Sequence, residues 1–296
     1  MSLVIGYVDH EIGFLIADTL VSRPPKRDDT RMLPIEQSHV LKIHILAPNI
    51  AVGFAGDIET SLAIISQLAS ELKTNPNFSI PDRILQLQQN QFGARRGDEQ
   101  RDCEFLALSM DGQKRLAHIA SNRIRSVQRA YIGDADEYFK VMQLILPVEA
   151  PKVCLAQDSS GEFHIEPCAM TEGETQFVQL SAALERRTQQ RTSTTVGAVC
   201  GLITRVVDAR ISKAFEYLQS GGAGISPFEG QTGFSMLAAN SNKRGIGIYY
   251  EGWGAGLIFL AGENTPCMKL PAASLKQFIE SATQKYGLNL EGVTWP

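Results

Sequence analysis

Leu3-Val4-Ile5-Gly6-Tyr7-Val8, Asp9-His10-Glu11, Ile12-Gly13-Phe14-Leu15-Ile16-Ala17-Asp18: the chain begins with two apolar runs separated by a short polar turn. Two runs of strand length joined this tightly pair as an antiparallel hairpin. Their near-continuous apolar character asks for burial on both faces. The runs that follow carry the pattern further. Ser22–Thr30 is polar, contains Pro24-Pro25, and reads as a loop or arm. Val40–Leu46 alternates, with Leu41, Ile43 and Ile45 on one face and Lys42 and His44 on the other. Pro48-Asn49 marks a turn, and Ile50-Ala51-Val52-Gly53-Phe54-Ala55 reads as a fourth strand that stops at Gly56-Asp57. Asp57 is suited to cap a helix whose apolar positions are Leu62, Ile65, Leu68 and Leu72. If the four strands share one sheet, Ser2, Asp18, Lys42 and Gly56 converge near one edge.

Further along, a second helix is expected from about Pro81-Asp82. Phe105–Met110 and Arg115–Ala120 form a hairpin around Asp111-Gly112. Tyr131-Ile132-Gly133 leads into a helix that runs to about Leu146, and Val153–Ala156 with Glu162–Ile165 gives a small hairpin. The spacing over 175–187 and over 196–218 predicts helices. Gly221–Gly233 is irregular. Three strands (Phe234–Ala239, Gly245–Tyr250, Gly256–Leu260) and a helix over 273–286 complete the chain. There is no repeat and no long linker. The expectation is one α+β domain over 2–296 with two mainly antiparallel sheets, and an α/β/β/α order of four layers satisfies the pattern economically.

Composition narrows the function. Of 296 residues 44% are hydrophobic and 20% charged, which excludes a disordered chain. The net charge of −4 gives no basic excess of the kind a dedicated nucleic-acid binder carries. Arg95-Arg96 and Arg186-Arg187 read as solvated faces. The five cysteines are dispersed, without a C-x-x-C pair, and no secretory signal is seen, so reduced thiols and a cytoplasmic location are expected. Neither a metal site, nor a cofactor, nor a membrane span is expected.

Gly13-Phe14-Leu15-Ile16-Ala17-Asp18-Thr19, Val40-Leu41-Lys42-Ile43, Ile50-Ala51-Val52-Gly53-Phe54-Ala55-Gly56-Asp57 and Ile132-Gly133-Asp134-Ala135-Asp136-Glu137-Tyr138 stand in the order of four segments of one family. On these the chain resembles the proteasome β-type peptidases of the N-terminal-nucleophile hydrolases, and in particular bacterial-type proteasome homologues. Sixteen positions separate Ser2 from Asp18 and fourteen separate Lys42 from Gly56, as in the family. The resemblance covers 2–142. It is poor over 147–233, and insertions are expected near 22–41 and 147–233.

The resemblance implies the four-layer sandwich of that family and an acyl-transfer reaction on amide bonds. Removal of Met1 would leave Ser2 with a free α-amine, whose reference pKa of about 7.7–8.0 suits a base near neutral pH. Lys42 would lower the pKa of the Ser2 hydroxyl, Asp18 would hold Lys42 charged and oriented, and the Gly56 N–H would receive the oxyanion. Asp134 stands where the family has a serine that supports the amine. Ser220, in Tyr217-Leu218-Gln219-Ser220-Gly221-Gly222, matches a supporting serine, while Tyr217 occupies the place of a supporting aspartate and Glu216 is one position off. Peptides or unfolded protein would be the substrate, a homo-oligomeric ring the assembly, and an ATP-dependent unfoldase a possible partner; no nucleic acid and no membrane is expected. Plain structural roles compete: a turn for Asp18, a solvent-facing lysine for Lys42, a strand–helix junction for Gly56, a helix cap for Asp134. Two other functions stay open, an inactive scaffold of the same fold and an amidase or acyltransferase of small substrates.

Overall fold

The computed structural model describes residues 3–20, 40–75, 77–93, 103–110, 114–147, 152–157, 163–190, 204–209, 214–218, 235–239, 245–250, 254–260 and 268–291. The opening hairpin forms as expected. β1 (Leu3–Val8) pairs antiparallel with β2 (Gly13–Ala17), in register from Val4↔Ala17 to Val8↔Gly13. Asp9 closes the turn, its Oδ1 accepting the N–H groups of Glu11 and Ile12 at 2.7 Å each.

The four early strands do not share a sheet. β8 (Arg129–Gly133) takes the outer edge of β1, and β11 (Thr204–Ala209) takes that of β2, with β12 (Ala214–Leu218) beyond it. The first sheet therefore runs β12-β11-β2-β1-β8 and leaves neither β1 nor β2 an edge for the next hairpin. β3 (Ile43–Ala47) and β4 (Ile50–Gly56) instead begin a second sheet, a meander completed by β5 (Cys103–Ser109), β6 (Arg115–Ala120) and β7 (Arg123–Val127). Ser121 and Asn122, at φ 48° and 58°, make the two-residue turn between β6 and β7, a mirror-image turn that matches strand twist.

Two further expectations change. The 196–218 stretch, read as helical, supplies strands β11 and β12; Val206, Val207, Phe215 and Tyr217 suit a sheet, and the open edge of β2 selects it. Among the described residues there are also three five-stranded sheets, where two sheets were expected. β13 (Ser235–Ala239), β14 (Gly245–Tyr250) and β15 (Ala255–Leu260) pair among themselves, and the short strands β16 (Met268–Pro271) and β17 (Leu290–Glu291) close their edges. A separate hairpin joins β9 (Lys152–Gln157) and β10 (Phe163–Cys168). Every pairing among the described residues is antiparallel. With five helices among the described residues, the fold is mixed α+β.

Alternation assigns each strand two faces. Val4 and Leu15 of the first sheet, Ala51 and Leu106 of the second, and Ile248 and Phe259 of the third enter one shared core. Leu3, Ile5 and Phe14 turn the other way, onto α3 (Ala135–Gln143) and α4 (Glu172–Gln189). Val52, Phe54 and Phe105 turn onto α1 (Ile58–Thr74) and α2 (Ile80–Gly93). The third sheet covers itself with α5 (Leu275–Tyr286) through Phe278. The first two sheets approach closely at Gly53, where an added Cβ would lie 2.8 Å from Val4 Cγ1. That approach brings the chain ends after β2 and before β3 together, although they belong to different sheets.

Candidate active site

Asp18 follows the last residue of β2 and is completely buried. Its Oδ1 accepts the Leu3 N–H at 3.2 Å and a hydrogen bond from Lys42 Nζ at 2.6 Å. Its Oδ2 accepts the Leu20 N–H at 3.1 Å. The carboxylate thus does two jobs. It closes the local turn, as aspartates after strands commonly do, and it binds a cation delivered by another sheet. Backbone pairing aligns the two segments, since Val40 N–H donates to the Thr19 carbonyl at 2.8 Å.

Lys42 lies just before β3 and is also completely buried, so the competing reading of a solvent-facing lysine fails. Its carbonyl accepts the Phe54 N–H at 3.0 Å, which fixes its backbone to β4. Burial pushes the Lys42 ammonium below its ordinary pKa, against the pull of the Asp18 charge and hydrogen bond. A buried ammonium is costly without a partner, and this one has a short charge-assisted bond. The geometry holds a positive charge at a defined point beside the ends of β1 and β2. A hydroxyl brought within a few ångströms of such a charge has its pKa lowered.

Gly56 ends β4 two residues after Phe54, hence at the same end of the sheet as Lys42. It is exposed and sits at φ 103°, a conformation that side chains rarely adopt. Asp57 then caps α1, its Oδ2 accepting the Thr60 N–H at 3.1 Å. The strand–helix junction is therefore real, and it leaves an open backbone surface without a side chain in front of a helix N-terminus.

Gly133 pairs with Leu3 at the end of β8, on the side of β1 opposite to Asp18. Asp134 follows and is nearly buried; its Oδ1 accepts the Glu137 N–H at 3.1 Å, so it is the N-cap of α3. Asp18, Lys42, Gly56 and Asp134 are thus gathered at matching strand ends. Ser2 and Ser220 lie outside the described residues.

Two groups, Glu104 and Arg187, escaped sequence reasoning or were misread, and a third, His44, is buried. Glu104, in the apolar run of β5, accepts the Gly133 N–H on Oε2 at 2.8 Å. A lone acid at an inward position of a buried strand was the available signal. The His44 ring Nε2 lies 2.8 Å from the Leu41 carbonyl, and burial pushes its pKa down to about 4. Arg187, expected on a solvated face, is only 3% exposed. It grips Glu137 through two bonds of 2.7 and 3.0 Å, because α4 packs its last turns against α3. Among the described residues no three His, Cys, Asp or Glu side chains are grouped to hold a metal, and no helix is long and apolar enough to cross a membrane. Compared with protein-family models and with curated proteins, the chain matches none.

Proposed function

We propose that the protein is an N-terminal serine hydrolase that cleaves amide bonds by acyl transfer, with the four-layer α/β/β/α fold of the proteasome-like N-terminal-nucleophile family. One observation carries the reading. The buried Lys42–Asp18 pair shares its Oδ1 with the Leu3 N–H, and that nitrogen is the atom peptide-bonded to Ser2. A charge pair able to activate a hydroxyl therefore stands one residue from the proposed nucleophile. The outward faces of the first two sheets, each covered by a pair of helices, support the fold in this reading.

The reaction runs in two halves. The Ser2 oxygen attacks the amide carbon while its proton passes, through a water, to the α-amine freed by loss of Met1. Lys42 stabilises the developing alkoxide, and the Gly56 N–H receives the oxyanion. The C–N bond breaks, and the α-ammonium returns the proton to the leaving amine. A water then attacks the resulting ester while the same amine takes its proton; the ester C–O bond breaks, the acid departs, and the α-ammonium returns that proton to the Ser2 oxygen. Peptides or unfolded protein are the proposed substrates, held in a homo-oligomeric ring and fed by an ATP-dependent unfoldase, in the reducing environment of a cytoplasm.

Intact mass before and after treatment with a β-lactone tests the reading. A ring-opened adduct of one lactone mass is expected on a chain that has lost Met1, and none on Ser2→Ala. Retained Met1 without an adduct overturns the hydrolase. It favours the scaffold, for which the use of Asp134 as an ordinary helix cap is the supporting observation. An adduct together with turnover of small amides, but not of unfolded protein, moves the substrate class to small molecules.

A further inference from the structure

Two charged side chains, one just before the second sheet and one within it, reach across to the first, one on each side of β1. Lys42 meets Asp18 on the β2 side. Glu104 meets Gly133 on the β8 side, its Oε2 accepting the Gly133 N–H at 2.8 Å. Leu3 stands between them, bonded through its N–H to Asp18 and in register with Gly133. Glu104 shares its face of β5 with Leu106 and Leu108, both of which enter the core between the sheets, so the contact is an inter-sheet one. It falls on a residue that cannot be shifted without consequence. Gly133, at φ 96°, turns the chain from β8 into Asp134, and Asp134 caps α3.

We infer that Glu104 is a positioning residue of the candidate active site: by holding the Gly133 N–H it fixes the end of β8, and with it Asp134, against the start of β1. The inference rests on the acyl-transfer reading for its catalytic meaning. Its structural content is independent of that reading. Lys42 anchors the charge on one flank of Leu3. Glu104 anchors the other flank, where Gly133 leads into Asp134. A carboxylate bound to one backbone N–H orients a strand end without itself touching the substrate. A displacement of about 1 Å in such a frame costs up to about a hundredfold in rate.

The test compares Glu104→Gln, which keeps an acceptor of similar length, with Glu104→Ala, which removes it. β-Lactone acylation is followed by mass to give kinact and KI, and hydrogen exchange is followed at the Gly133 amide. Glu104→Ala is expected to lower kinact about tenfold or more with KI nearly unchanged, and to speed exchange at Gly133 about tenfold. Glu104→Gln is expected to restore both to near the native values, which a generally loosened fold would not do. Unchanged kinact and exchange in Glu104→Ala overturn the inference, as does equal loss in the two variants. Should Glu104→Ala fail to fold, native-like kinact and exchange in Glu104→Gln support the acceptor role, and loss of either overturns it. Absence of labelling in the native protein defeats the acyl-transfer reading separately. Exchange at Gly133 then decides alone whether Glu104 holds this strand end.

Discussion

At the scale of single residues, the Lys42–Asp18 pair makes opposite demands on stability and chemistry. Lys42→Met leaves the Asp18 carboxylate buried without its cation, and removing one partner of such a pair costs about 3–5 kcal/mol. The double variant Asp18→Asn/Lys42→Met removes both charges and is expected to recover most of that loss in urea unfolding, while β-lactone labelling stays absent. Recovery of labelling with stability would reduce the pair to a structural one. His44 sets a pH dependence. Its pKa falls from 6.5 to about 4 on folding, so the unfolded chain takes up the proton first as acidity rises. The contribution is whole above pH 6.5 and is lost as pH falls toward 4, about 3 kcal/mol in all. Urea unfolding across that window should show an acid limb shallower by this amount in His44→Asn. Asp18 and Lys42 were singled out in the sequence by the Ser2–Asp18 and Lys42–Gly56 spacings, and the structure pairs them. Their burial was not, since an alternating strand reads the same whether its polar face meets water or a partner. Glu104 had no motif to announce it, and its partner is a backbone N–H that any sequence supplies.

At the scale of elements, capping and periodicity were readable where they are local. Asp57 caps α1 as its position predicted, and the last helix begins within two residues of the expected start. What failed was decided by distant partners. Residues 204–209 and 214–218 become strands because β2 presents an unpaired edge, and no local pattern records that edge. Gly53 shows the same dependence in packing. Within β4 it reads as a weak point, but it is where the first two sheets close on each other. Gly53→Ala should cost about 1–3 kcal/mol by overpacking against Val4, measured as a lowered midpoint in urea. A neutral result would mean that the sheets can separate slightly at this point without loss.

At the scale of the whole molecule, the α+β class was legible and the number of sheets was not. The strands of the third sheet are apolar and evenly spaced, so they could have extended either of the other two. The edge strands that make it self-contained, β16 and β17, are four and two residues long, too short for a periodic signal. The order of the first sheet also has a consequence in time. β2 lies beside β11, so Ala17 must wait for Thr204 to be synthesised. At ribosomal rates of about 5–20 residues per second, that interval is roughly 10–40 s. For its duration the nascent hairpin presents an apolar strand with an unsatisfied hydrogen-bonding edge, the kind of surface that recruits chaperones or other growing chains. The centre of the proposed catalytic apparatus is therefore among the first parts of the protein to be made and among the last to be closed.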